Sequence, residues 1–121
     1  MKRSNIFLIT ILACLLAAGC EETLEKDIAG QKVNLLAPAN NLITADTIHT
    51  FFWDNLDGAN QYRLQIVSPR FDSIVKLIID TPINRNTFMI DLNLNRYQWR
   101  VRASNSAFTS AFSDTWNLKI Q

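Results

Sequence analysis

The sequence predicts an all-β fold, a two-sheet sandwich of seven short strands carried behind an export segment. Three observations lead there. From Val33 onward, runs of four to nine residues rich in β-branched and aromatic side chains alternate apolar and polar positions, with almost no helical period. Turn formers interrupt these runs at short intervals: Pro38 with Asn40-Asn41, Asp57-Gly58, Pro69, and Asp80-Thr81-Pro82. Few cysteines are available, so the domain must stand on an apolar core without a disulfide framework.

Taken in order, Val33 to Leu36 forms a first strand that stops at Pro38. Thr47 to Asp54 forms a second, ending before the Asp57-Gly58 turn. Asn60 to Ser68 alternates with Tyr62, Leu64 and Ile66 on one face and Arg63 and Gln65 on the other, and Pro69 ends it. Ser73 to Ile79 is a fourth strand, closed by Asp80-Thr81-Pro82. Thr87 to Leu92 places Phe88, Ile90 and Leu92 together. Arg96 to Ser104 sets Tyr97, Trp99, Val101 and Ala103 against Gln98, Arg100 and Arg102. Phe112 to Ile120 closes the chain, with Trp116, Leu118 and Ile120 in phase. Seven strands at this spacing suit a sandwich of two antiparallel sheets. The inward set supplies large apolar side chains worth about 1.5–3 kcal/mol each when buried.

The N-terminal segment has a different character. Lys2 and Arg3 precede an apolar run from Ile6 to Ala18 that only Thr10 breaks. Thirteen residues are too few to span a hydrocarbon core as a helix, which needs about 20, but they suit the apolar region of a secretory signal. Leu16-Ala17-Ala18-Gly19-Cys20 resembles the lipobox of bacterial lipoproteins. That resemblance implies cleavage before Cys20, a diacylglyceryl thioether on its sulfur, and acylation of its new amine. More than one buried chain anchors stably where a single chain does not. The alternative is an ordinary secretory signal with a coincidental cysteine. Cys14 falls in the removed segment, leaving Cys20 as the single cysteine of the mature chain.

Of the 121 residues, cleavage leaves 102, a common single-domain size. The formal charge of +1 includes Lys2 and Arg3, so the mature side chains carry about −1. Without a basic excess, nucleic-acid binding has no electrostatic support. Residues 20–32 read as a lipidated acidic tether holding Glu21, Glu22, Glu25 and Asp27. A flexible chain of that length reaches roughly 20 Å; a short helix from Thr23 to Ala29 is also compatible but marginal alone. The acidic pair after Cys20 resembles export signals of Bacteroidetes-type surface lipoproteins, against the simpler reading of a solvated linker. The expected divisions are therefore 1–19, 20–32 and 33–121.

Phe51-Phe52-Trp53, Gly58-Ala59-x-x-Tyr62-Arg63-Leu64-Gln65-Ile66, and Leu92-x4-Tyr97-x-Trp99-Arg100-Val101-Arg102-Ala103-x-Asn105 together resemble a fibronectin type III domain, an immunoglobulin-like sandwich, in the version found in exported bacterial lipoproteins. The resemblance covers Val33 to Gln121 and implies a spacer or binding module without catalysis. It places Tyr97 as a corner tyrosine whose hydroxyl ties the preceding turn to the backbone. The turn itself departs from the family, reading Asn93-Leu94-Asn95-Arg96 where Pro-Gly or Gly is usual. Asn95 could take the left-handed conformation there.

Groups able to do chemistry are sparse. His49, the single histidine, shares a face with Phe51 and Trp53 and reads as a satisfied, partly buried side chain. A zinc site needs three or four ligands, and the domain from Val33 on offers His49 no Cys or His partner. No G-x-S-x-G nucleophile motif occurs. Asp54 and Asp57 flank a turn and read as turn formers before calcium ligands. No catalytic residue, metal site or cofactor is therefore expected, and a spatial cluster around His49 is what would revive an enzyme.

The candidate binding residues are Arg63, Arg100 and Arg102, expected on one outer face with Gln65 and Gln98, and two loop aromatics, Phe71 and Phe108. The arginine stripe suits an acidic partner or glycan. The bland alternative is a solvated face balanced by Asp72 or Asp114. Phe71 and Phe108 could anchor a partner or stack on a sugar; they could equally tuck beneath the sandwich end. Two functions follow for an anchored protein of the cell envelope, at the outer membrane: a scaffold or interaction module for another envelope protein, or a glycan-binding accessory of a sugar-uptake system. An apolar patch with a polar rim favours the first, aromatics in register on one face the second.

Overall fold

A computed structural model describes residues 24–121. The export segment and Cys20 lie outside the described residues. Eight strands follow in order: β1 (Leu35–Ala37), β2 (Leu42–Thr44), β3 (Ile48–Trp53), β4 (Gln61–Arg70), β5 (Ser73–Ile83), β6 (Thr87–Asp91), β7 (Asn95–Ser104) and β8 (Trp116–Ile120). They form a three-stranded sheet, β1-β3-β6, and a five-stranded sheet, β2-β8-β7-β4-β5. All pairings are antiparallel except β2 with β8.

The alternating positions meet between the sheets. Phe51, Trp53, Leu64, Ile66, Trp99 and Val101 are completely or almost completely buried, joined by Tyr62, Tyr97, Leu118 and Ile120. Phe51 meets Trp99 edge-on with centroids 4.8 Å apart, and Trp53 meets Tyr62 at 5.8 Å. Such pairs add about 0.5–1.5 kcal/mol beyond their buried area. The indole N–H groups of Trp53 and Trp99 have no acceptor among the described residues.

Four expectations need correction. There are eight strands, not seven: the first runs Leu35–Ala37, and after Pro38 the chain turns through Asn41, whose φ of 64° is left-handed, and enters the opposite sheet as the unexpected β2. Pro69 and Pro82 end no strand. Pro69 lies past Val67, the last β4 residue paired with β7. Pro82 lies in β5, an edge strand that has no ladder partner on its outer side. Asn95 does not take the left-handed conformation; its side chain accepts from the Arg96 N–H at 2.8 Å, and Leu94 beside it is exposed.

The fourth correction concerns the tether. Residues 25–32 do not run free of the domain, and no helix forms over 24–29. Ile28 is fully buried in the core. Asn105 donates to the Lys26 carbonyl at 2.8 Å, Ser106 donates to Glu25 at 2.7 Å, and the Ala111 N–H donates to the Gln31 carbonyl at 3.2 Å. This strap crosses Gly58, where a Cβ would come within 2.9 Å of Lys26 and 3.1 Å of Ile28. With a φ of 89°, Gly58 supplies both the turn conformation and the clearance.

Candidate functional site

The outer face of the five-stranded sheet gathers most of the candidate residues. Alternation along β4 and β7 puts Arg63, Gln65, Gln98, Arg100 and Arg102 there, and the register sets Arg63 opposite Arg102 and Gln65 opposite Arg100. Gln65 also lies opposite Asp80 of β5. Asp80 accepts from Arg63 Nε at 2.6 Å and from Gln65 at 3.2 Å, and Gln65 accepts from Arg100 Nε at 2.9 Å. The balancing acid is therefore Asp80, not Asp72 or Asp114. Asp72 holds Arg70 at 3.2 Å and Asp114 holds Lys32 at 3.0 Å, both away from the stripe. The hydrogen bond from Arg63 keeps the Asp80 carboxyl below its usual range, and Asp80 in turn raises Arg63. Burial, then the nearby charge of Arg102, press Arg100 down from its ordinary value.

Arg100 is enclosed. Its guanidinium carbon lies 4.1 Å from the Phe71 ring centroid and 4.0 Å from that of Phe112, and Arg102 lies over Phe112 at 4.8 Å. The last strand, expected from Phe112 to Ile120, begins only at Trp116; Phe112 lies in the irregular stretch before it, and its expected place at the head of a strand did not point to a contact with the arginines. Phe71 is held by its N–H donating to Gln98 at 2.9 Å. Phe108, at the other end, packs against the core, its loop tied by the Phe108 N–H donating to Asn105 at 2.8 Å. Of the two expectations for these aromatics, Phe108 takes the tucked one, and Phe71 covers an arginine.

The remaining groups have structural partners. His49 is half-buried and its Nε2 donates to the Asp46 carbonyl at 2.8 Å. Asp54 accepts from Asn34 at 2.8 Å, and Asp57 pairs with Lys26 at 2.7 Å. Tyr97 Oη donates to the Asn93 carbonyl at 2.6 Å, closing the corner expected for it; burial raises its phenol above the ordinary value, so it remains a donor.

The three-stranded sheet presents a second surface. Ile48, Thr50 and Phe52 alternate outward along β3, opposite Asp91, Met89 and Thr87 of β6. Ile48 and Met89 are 62% and 71% exposed, and Leu36 on β1 is 38% exposed. Thr50, Thr87 and Asp91 lie directly opposite Met89, Phe52 and Ile48 on the same face, so polar groups are interleaved with the apolar ones.

No protein-family model and no curated protein matches the sequence. Solved structures do. The fibronectin type III domain of human fibronectin type III domain containing protein 3 is 15% identical at a TM-score of 0.52, covering 78% of this chain and 89% of that one. A structure described as FN3tt mut is 19% identical at a TM-score of 0.47, covering 71% of this chain and 84% of that one. The chain therefore has the fibronectin type III fold: an all-β, immunoglobulin-like sandwich.

Proposed function

We propose that this protein is a lipid-anchored, non-catalytic interaction module of the cell envelope, and that it binds another envelope protein. The observation that carries the choice of partner is the set of outward apolar side chains Leu36, Ile48, Phe52 and Met89 on one sheet face, interleaved with Thr50, Thr87 and Asp91. Exposed apolar side chains mixed with polar ones on a sheet face suit a folded protein surface. A glycan is less well served. Phe71 and Phe112, the aromatics on the opposite outer face, have Arg100 against their rings and offer no clear stacking platform. The anchor rests on the Leu16–Cys20 motif and its flanks.

Two measurements test this. Mass spectrometry of the mature N-terminus should find Cys20 first in the chain and acylated; an unmodified cysteine or a different cleavage site overturns the anchor. A photo-crosslinking residue at Met89 or Ile48 in intact cells should yield a discrete protein adduct, and one at Val75 should not. Equal adducts from all three positions, or none from the strip, overturn the protein-binding face.

A further inference from the structure

Two pairs of cations lie directly opposite one another on the outer face of the five-stranded sheet: Arg63 against Arg102, and Arg96 against Lys119. Like charges in directly opposed cross-strand positions repel and cost stability. Asp80 answers the first pair, accepting from Arg63 and feeling the charge of Arg102. Among the described residues, no carboxylate pairs with the second: none of the four ion pairs includes Arg96 or Lys119.

The second pair borders a hollow of about 350 Å³, within the size range of small ligand sites. Arg70, Asn41, Asn117 and Ile43 border it too, and no carboxylate does. Arg70 adds a third cation, shared with Asp72 at 3.2 Å. Asn117 accepts from Gln98 through Oδ1 at 2.9 Å, and its side-chain Nδ2 donates to no acceptor among the described residues. Ile43, 59% exposed, contributes an apolar wall. The hollow sits where Asn95 pairs with Ile120, at the end of the sheet remote from Ser104 and the strap.

We propose that this hollow is a carboxylate-binding site, filled by an acidic side chain on an extended segment of a protein partner. The guanidinium of Arg96 can grip a carboxylate with two parallel hydrogen bonds, Lys119 adds a point charge and Asn117 a neutral donor. Ile43 and Pro69 take the aliphatic stem, and the volume suits one or two side chains. The site stands on its own residues; only its assignment to a protein partner rests on the function proposed above.

The test uses the full-length chain in uncharged detergent micelles, with isotope-labelled amides followed by NMR. The probes are a capped hexapeptide with two glutamates among aliphatic residues, the same peptide with glutamines, and inorganic phosphate. The acidic peptide should shift the amides of Asn41, Arg96, Asn117 and Lys119 saturably, and the glutamine peptide should bind about tenfold more weakly or less, since hydrogen bonds to charged groups are the stronger class. Arg96→Glu should abolish binding and raise the Tm by about 1–4 °C, because the charge facing Lys119 becomes complementary; Arg63→Gln should leave binding intact. Equal binding of both peptides, shifts centred on Arg63 and Arg102, or a Tm lowered by Arg96→Glu overturns the site. Phosphate matching the acidic peptide in affinity overturns the peptide assignment and makes the hollow an unselective anion site. Because these shifts lie on the five-stranded sheet and the crosslinks on the three-stranded one, either proposal can fail while the other stands.

Discussion

At the scale of single residues, Ser110 and Ser113 replace part of a missing strand. β8 covers β7 only from Asn95 to Trp99. Beyond that, the Val101 N–H donates to Ser113 Oγ at 3.0 Å and the Ala103 N–H to Ser110 Oγ at 2.9 Å, and the backbone N–H of each serine returns a bond of 2.8 Å to the matching carbonyl. Both serines are buried. Ser110→Ala or Ser113→Ala should therefore strand a buried donor and cost about 1–3 kcal/mol in a urea titration. Ser106→Ala at an exposed position should stay within about 0.5 kcal/mol. If all three variants lose equally little, water replaces the serine hydroxyls and they are not structural. Asp80 carries a pH dependence of definite sign. Its folded pKa is depressed by Arg63, so it contributes stability above the unfolded carboxylate value of about 3.9 and loses that contribution as pH falls through the folded value. Asp80→Asn should flatten the acid limb of a stability-versus-pH curve; an unchanged acid limb would remove Asp80 from that role.

At the scale of elements, what was legible in the sequence was what had a period. Alternation places β3, β4, β6, β7 and β8 on their correct faces, because each contributes several side chains to one core and a slipped register would expose all of them. The arginine stripe was legible for the same reason. Asp80 was not, because Pro82 reads as a breaker, and only its position on an edge strand makes it harmless. β2 has just three residues, too few to show a period. The strap was hidden more completely: Ile28 is one apolar residue among polar neighbours, and it is buried because Gly58 leaves a gap for it. Ile28→Ala should accordingly cost about 2–5 kcal/mol and open residues 24–32 to proteolysis. A change under about 0.5 kcal/mol would mean the strap adds nothing to the domain. β5 shows the opposite behaviour. Its Ile74, Val75 and Leu77 read like a buried strand but are exposed on the edge, where Lys76 is the charge that guards against pairing with another chain.

At the scale of the whole molecule, the strap would set, in the proposed lipid-anchored form, which end of the sandwich faces the membrane. It docks on the turn around Gly58 and on Asn105 and Ser106, so the β3–β4 and β7–β8 connections lie at the end nearest the N-terminal segment. Six residue steps separate Cys20 from Lys26, at most about 22 Å even fully extended. The nine steps of β7 span about 30 Å in the other direction, from Ser104 to Asn95. In the proposed acylated form, Asp57 and Ala107 should thus lie near the headgroups, while Ile43, Leu94 and the hollow beside Arg96 stand at the far end. With the lipidated chain in bicelles doped with a gadolinium lipid, amide broadening should be strongest at Asp57 and Ala107 and weakest at Ile43 and Leu94. Ile28→Asp should release the strap, lengthen the free chain to thirteen steps ending at Val33, and flatten the gradient. A uniform gradient in the unaltered chain would show the domain tumbling freely on its anchor. A reversed one would lay the cationic hollow on the bilayer, making lipid phosphates its nearest anions and removing it from reach of a facing protein.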